Sequence, residues 1–290
     1  MNEKDWHILS TLLEEKNITK TSKRLYISQP ALTYRIKELE KEFNIKIITR
    51  GNRGVDFTPR GEFLAEYAKS MLALLQTTKE QLVNMKDGIS GTLRLAVSGM
   101  FARYELPTLL KEFLSIFPDV EVNLKTGWSS EVNLMLQKEE AHLGIIRGNY
   151  DWPGDKILLK EEKICIVSNT EIDAMNLPSL PRINYQTDMS LKNTIDMWWN
   201  QTYTVPPIIT METDRSDTCK QMVLNGLGYS ILPEICIQKE EPLYTIPLTA
   251  KDHSYVTRNT WLMYHKTALE LKHVKAFIDF LKEYKENTSL

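Results

Sequence analysis

The sequence predicts an α+β, multi-domain chain: a small basic helical module with a hairpin, one long helix, then a larger two-lobed α/β body. Three observations carry that prediction. First, charge is segregated. Of 290 residues, 36 are Lys or Arg and 38 are Asp or Glu, for a net charge of −2. Residues 16–60 hold eleven Lys/Arg against four acids, so this segment is +7 and the remainder −9. Such asymmetry marks a basic binding module on an acidic body. Second, a seven-residue apolar repeat runs through 64–85. Third, from Gly91 onward short β-type runs alternate with helical ones, the grammar of a mostly parallel sheet.

Residues 3–15 place Trp6, Ile8, Leu9, Leu12 and Leu13 at helical spacing. Thr19–Leu25 makes a second, short helix, with Ile18, Ser22 and Leu25 inward and Lys20, Lys23 and Arg24 outward. Tyr26–Ile27 turns the chain. In Ser28–Phe43, the residues Leu32, Ile36, Leu39 and Phe43 line one face. Ser28 serves as N-cap, and Pro30 sits in the first turn, where a missing N–H is no loss. The opposite face carries Gln29, Thr33, Tyr34 and Lys37, with Arg35 on its flank. Two short helices and a tight turn into a longer, polar-faced one form a helix-turn-helix.

Two short β-type runs follow, Lys46–Thr49 and Val55–Phe57, around the tip Arg50-Gly51-Asn52-Arg53-Gly54. That pattern reads as a wing with two cations at its tip. Amide, hydroxyl, phenol and cationic groups on one helix face suit a DNA major groove, where Gln bonds adenine bidentately and Thr meets a thymine methyl. Gln29, Thr33 and Tyr34 are therefore assigned to the groove, with Pro30 beside them. Ser28, Arg35, Lys37, Arg50 and Arg53 are assigned to phosphate or the minor groove. The expected partner is double-stranded DNA.

Thr58 and Pro59 start the long helix. Leu64, Ala68, Met71, Leu75, Thr78, Leu82 and Met85 are spaced 4, 3, 4, 3, 4, 3. A heptad of that length predicts pairing with the same helix of a second chain, which would present two recognition helices at once. Asp87-Gly88-Ile89-Ser90-Gly91 breaks the helix. The expected organisation is a winged helix-turn-helix at 1–58, a linker and dimerisation helix at 59–87, a hinge at 88–91 and the α/β body at 92–290.

In the body, strands are expected at Thr92–Val97, Val120–Thr126, His142–Ile146, Cys165–Ser168, Ile183–Tyr185, Ile208–Met211 and Thr260–Tyr264. Helices are expected at Leu106–Phe117, Glu131–Gln137, Ser190–Tyr203, Ser216–Asn225 and Leu269–Tyr284. Two lobes follow, one of about 92–161 and 266–290, the other of about 162–265. Ligands bind such lobes in the cleft at strand C-terminal ends.

Cys165, Cys219 and Cys236 are widely spaced and have no neighbouring His, and the five histidines are scattered. Neither a disulfide framework nor a metal site is expected. No nucleophile elbow, phosphate loop or paired catalytic motif occurs, so no cofactor and no enzyme activity are expected. Residues 1–17 lack a signal-peptide core, and no run approaches about 18 apolar residues. A cytoplasmic protein without membrane contact is expected. The competing readings are a cytoplasmic small-molecule binding protein, or an enzyme, using the two-lobed body.

Over its whole length the sequence resembles the LysR-type transcriptional regulators. The resemblance rests on Leu25-Tyr26-Ile27-Ser28-Gln29-Pro30-Ala31-Leu32-Thr33 running into Ile36-Lys37-Glu38-Leu39-Glu40, on Ile48-Thr49-Arg50, and on Phe57-Thr58-Pro59-Arg60-Gly61. Gly91–Leu95 and Gly226–Pro233 extend it. Thr21-Ser22 stand where the family usually has two alanines, and Arg60 replaces a usual alanine. The resemblance implies a periplasmic-binding-protein-like effector domain and a tetramer that binds promoter DNA and changes its bending on effector binding. A narrower resemblance is to the citrate-responsive catabolite-control LysR regulators of Gram-positive bacteria. It rests on Gly127-Trp128-Ser129-Ser130-Glu131, Ile146–Asn149, Thr218–Met222 and Arg258-Asn259-Thr260.

In the body, Ser98-Gly99-Met100 and Trp128-Ser129-Ser130 each follow a strand and precede a helix, where backbone N–H groups and hydroxyls face an anion. Arg147 and Arg258 are expected to grip carboxylates from both sides of the cleft. A polycarboxylate such as citrate is the expected effector. Thr218 and Tyr185 are expected to line the cleft as well. Cys219 is expected to be a small packed residue without a redox role.

Overall fold

The computed structural model describes residues 1–51, 54–85, 87–238 and 240–287. It forms two compact units, Met1–Lys86 and Asp87–Leu290.

In the first unit, α1 (Glu3–Glu15) opens with a capping box in which Asn2 and Asp5 satisfy each other's backbone N–H. α2 (Ile18–Arg24) is capped by Asn17. α3 (Gln29–Phe43) is capped by Ser28, whose Oγ accepts the Ala31 N–H at 3.3 Å. Leu9, Leu12, Leu32, Ile36 and Leu39 are buried where the three helices meet, each contributing roughly 1.5–3 kcal/mol. Phe43 departs from the expected stripe. It lies on the last turn of α3 and is exposed, so the buried face ends at Leu39.

The wing pairs β1 (Ile48–Gly51) with β2 (Gly54–Phe57) in antiparallel register. Val55 donates its N–H to the Lys16 carbonyl at 3.0 Å, which seats the wing on the α1–α2 junction. A Cβ on Gly54 would stand 2.3 Å from that carbonyl, so the contact requires glycine.

α4 (Pro59–Asn84) is capped by Thr58. Here the structure corrects the predicted seam. Leu64 and Ala68, the first two heptad residues, are buried against Leu9, Leu39 and Ile47 of the same unit. The apolar residues left in water are Phe63, Tyr67, Leu74, Leu82 and Met85. Over the first half of the helix the outward stripe is thus rotated by one residue from the predicted one. Packing α4 on α1 uses up the first two residues of the predicted seam, while its last two, Leu82 and Met85, stay exposed as expected.

The second unit begins with β3 (Gly91–Ser98), α5 (Gly99–Tyr104), α6 (Leu106–Ile116), β4 (Val120–Gly127), α7 (Ser129–Gln137) and β5 (Leu143–Arg147). β4 and β5 flank β3 in parallel. The 14-residue β6 (Asp155–Ser168) then runs through both lobes. The second lobe holds β7 (Pro181–Tyr185), α8 (Met189–Thr202), β8 (Ile208–Thr213), α9 (Ser216–Leu224), β9 (Ser230–Pro233) and β10 (Tyr244–Pro247). β11 (Thr257–Tyr264) and α10 (Lys272–Asn287) complete the unit.

β11 inserts between β5 and the first half of β6, giving a first-lobe sheet ordered β4-β3-β5-β11-β6. The expected lobe boundary at 265 is therefore corrected: the chain re-enters the first lobe at 257. β9 and β10 pair with the second half of β6, and β7 pairs in parallel with β8. Trp198 and Trp199 are buried anchors of α8 in the second-lobe core. Among the described residues, no helix is long and apolar enough to cross a membrane.

Candidate functional site

Gln29, Pro30, Thr33, Tyr34 and Lys37 are all exposed and together line one shallow depression on α3. Leu32, Ile36 and Leu39 anchor the opposite face, so the polar side chains are presented on a rigid element. Ser28 is exposed beside them as the cap. Tyr26, in the turn before α3, has a left-handed backbone with φ +55° and is 96% exposed, a conformation that bulky residues rarely adopt.

Arg35 is corrected. Its Nε and NH2 donate to the two carboxylate oxygens of buried Asp5 at 2.6 and 2.8 Å, so its fork ties α3 to α1 instead of reaching outward. Of Arg50 only the backbone, in register with Val55, is described, and Arg53 lies outside the described residues. The Arg35 guanidinium holds the Asp5 carboxyl below the ordinary carboxylate range, against the opposing effect of burial. The pair therefore contributes its full stability above the unfolded carboxyl pKa of about 4, and that contribution fades as the pH falls through the folded value. Arg35→Met should cost about 1–2 kcal/mol at neutral pH, the half-solvated guanidinium keeping the figure low. Urea titrations from about pH 6 to about pH 3 should show the gap to wild type closing. A constant gap would remove the ion pair as its cause.

The second unit holds a cleft of about 430 Å³ between its lobes. Ser98, Gly99 and Met100 line it from the β3–α5 junction, Trp128 and Ser129 from the β4–α7 junction, and Arg147 and Arg258 from the floor. These seven expected residues are brought together. Three are not. Ser130 points into solvent on the first turn of α7, and Thr218 gives way to Ser216 and Asp217 at the start of α9. Tyr185 lines a neighbouring cavity instead.

Arg147 and Arg258 do not come from opposite lobes. Arg147 ends β5 and Arg258 lies on β11, the adjacent strand of the same sheet. Arg147 is 1% exposed and pairs with the equally buried Glu162, whose other oxygen accepts the Ile235 N–H at 2.7 Å. Burial, helped by the charge of Arg258, lowers the Arg147 pKa to about 10, so it stays cationic at neutral pH. NH2 of Arg258 pairs with Asp188, the N-cap of α8, and donates to the Arg147 carbonyl at 3.2 Å. The cross-lobe partner is thus Asp188, which sequence reasoning missed. Its signal was an aspartate one residue before a helix. A second cross-lobe tie joins Arg103 and Tyr104 of α5 to Asp217 of α9.

Among the described residues, several polar atoms around this floor have no hydrogen-bond partner: Arg147 Nε, Arg258 Nε and NH1, and the Ser98 and Thr187 hydroxyls are buried without one. Ser129 Oγ, by contrast, accepts the Arg147 N–H at 3.2 Å. Cys219 is fully buried, its Sγ 3.1 Å from Ser230 Oγ, and burial pushes its thiol up to about 11. Such a thiol holds no thiolate at neutral pH.

Comparison with known proteins was decisive. Residues 4–62 match the bacterial regulatory helix-turn-helix of the lysR family, and residues 86–286 match the LysR substrate binding domain. The chain belongs to the LysR family of transcriptional regulators. It is a DNA-binding regulator with an effector-binding domain, not an enzyme. It is 47% identical to the uncharacterized HTH-type transcriptional regulator YraN of Bacillus subtilis, over 97% of this chain and 98% of that protein. To the regulator CitR of the same organism it is 26% identical, over 96% and 97%. The narrower resemblance to citrate regulators is thus a distant one. The crystal structure of full-length CbnR complexed with its target DNA shares the fold, with a TM-score of 0.68 at 17% identity, covering 98% of this chain and 99% of that one.

Proposed function

We propose that promoter binding by this LysR regulator is modulated by a small polycarboxylate held in the interlobe cleft, with citrate as the first candidate. One observation supports this above all: Arg258 presents Nε and NH1, and Arg147 presents Nε, at the buried cleft floor without an acceptor among the described residues. Unpaired buried charged donors are costly, and carboxylate oxygens are the acceptors that make strong, charge-assisted bonds to them. Asp188 takes NH2 of Arg258, the nitrogen common to both forks of the guanidinium, so Nε and NH1 each need an acceptor of their own, as a ligand with several carboxylates supplies. The Ser98 hydroxyl and the first turn of α7 supply further donors. The short motifs shared with citrate-responsive regulators make citrate the first probe.

On the DNA side, Gln29, Thr33 and Tyr34 read base edges with Pro30 beside them, and Ser28 and Lys37 meet phosphate. Arg35 drops from the contact set. The exposed stripe Phe63, Tyr67, Leu74, Leu82 and Met85 pairs α4 with a second copy, and two such dimers make a tetramer working on cytoplasmic DNA.

Thermal unfolding of the full-length protein with citrate, isocitrate, succinate and sulfate tests the effector reading. A ligand that binds only the folded state raises the midpoint in proportion to RT ln(1 + [L]/Kd). Citrate should give the largest rise, and Arg258→Met should abolish it. If no carboxylate moves the midpoint, the effector reading falls and the DNA-binding assignment stands.

A further inference from the structure

A second cavity, of about 720 Å³, lies in the second lobe, with Trp128 as its one wall from the first. It opens at the C-terminal ends of the parallel strands β7 and β8, the place where α/β folds bind ligands. Its deepest charged residue is Arg182 of β7, 7% exposed. Among the described residues the guanidinium finds no hydrogen-bond or ion-pair partner. Nε is buried and unsatisfied, and the nearest support is the face of Trp199, 5.4 Å from ring centroid to guanidinium carbon. Burial lowers its pKa, and the Asp196 carboxylate opposes this from a distance.

An arginine buried without a counter-charge is among the costliest arrangements in a folded protein. A cation–π contact returns only part of what the buried side of the guanidinium forfeits. A second unsatisfied group lines the same cavity. The Tyr185 hydroxyl is buried without a partner, and burial keeps its proton in place, so it is a donor. Two buried donors, one of them cationic, call for a carboxylate. The mouth has the opposite character, with Asp196, Glu212 and Asp214 exposed there against Lys192 alone.

We propose that this cavity is a second ligand site, for a small zwitterion. Its carboxylate accepts from Arg182 and the Tyr185 hydroxyl, and its ammonium faces the acids Asp196, Glu212 and Asp214. A dianion such as citrate is disfavoured, since its outer charge would meet three carboxylates. The cavity adjoins the cleft, sharing Trp128, Gln186, Thr187 and Asp214 with it, but its arginine is different: Arg147 and Arg258 are absent from its lining, and Arg182 is absent from that of the cleft. It holds whether or not the cleft takes a carboxylate.

The test titrates the full-length protein with the standard L-amino acids, and with acetate, sulfate and ethylamine as single-charge controls. Thermal midpoint and tryptophan fluorescence are the readouts, Trp199 lying directly beneath Arg182. At least one amino acid should raise the midpoint saturably, while acetate, sulfate and ethylamine do so far more weakly. Arg182→Met should abolish the effect, Arg258→Met should retain it, and Tyr185→Phe should weaken binding about tenfold, the share of one hydrogen bond. Without ligand, Arg182→Met should melt at or above the wild-type midpoint, because a buried unpaired charge has been removed. A lower midpoint would assign Arg182 to packing on Trp199 and overturn the site. So would silence from every amino acid, a response surviving Arg182→Met, or acetate and sulfate matching the best amino acid.

Discussion

Glu162→Ala should cost the effector-binding domain about 3–5 kcal/mol, the penalty for stranding a buried charge. Arg147 and Glu162 are 1% and 2% exposed, and the carboxylate spends both oxygens, one on the guanidinium and one on the Ile235 N–H. Removing it leaves Arg147 cationic at neutral pH, almost fully buried at the cleft floor, beside the like charge of Arg258. Domains of this kind are stable by only about 5–15 kcal/mol, so the loss is a large fraction of the whole. Guanidinium-chloride unfolding of the full-length protein would measure it. The double variant Arg147→Met with Glu162→Leu should recover most of the loss, because well-packed apolar pairs replace buried ion pairs at little net cost. A single-variant loss under about 1 kcal/mol would mean the pair is hydrated in solution.

The second large effect is expected on DNA. Gln29→Ala should weaken binding to a cognate promoter fragment by about 1–3 kcal/mol, roughly ten- to a hundredfold, and leave binding to scrambled DNA nearly unchanged. Lys37→Ala should weaken both fragments alike and reduce the slope of log affinity against log salt by about one. The difference follows from position. Both side chains are exposed on one face of α3, but an amide reads base edges and an ammonium meets phosphate. Fluorescence anisotropy across a salt series separates them. If Gln29→Ala weakens both fragments equally, Gln29 does not read bases and the assigned orientation of α3 is wrong.

Much of the chain was legible before the structure. The turn before α3, its Ser28 cap and its polar face were readable because capping and periodicity are local properties. The N-terminal ends of α1 and α4 were readable for the same reason. The βαβ order of the second unit followed from the alternation of apolar runs. The cleft residues at Ser98–Met100 and Trp128–Ser129 were found because a strand followed directly by a helix start puts its junction at the sheet's C-terminal edge.

What failed depended on contacts between distant residues. Arg35 looked like a phosphate ligand from its place on α3, and only the arrival of Asp5, thirty residues earlier, shows its donors to be taken. The heptad of α4 was misassigned only at its start, since Leu64 and Ala68 serve their own domain while Leu82 and Met85 stay exposed. Arg147 and Arg258 were correctly placed at the cleft but on the wrong sides, because strand pairing decides that β11 returns to the first lobe. Arg182 drew no notice at all. In sequence it stands just before the short strand expected at Ile183–Tyr185.

The sequence alone determined the family, the helix-turn-helix, the division into two units and the chemical type of the recognition face, all of which rest on residue identity and local spacing. The tertiary structure alone decided which charges are free to act. Whether an arginine is a ligand group or a structural one turns on whether a carboxylate is folded within reach of it. Asp5 answers that for Arg35 and Glu162 in part for Arg147, and among the described residues nothing answers it for Arg182.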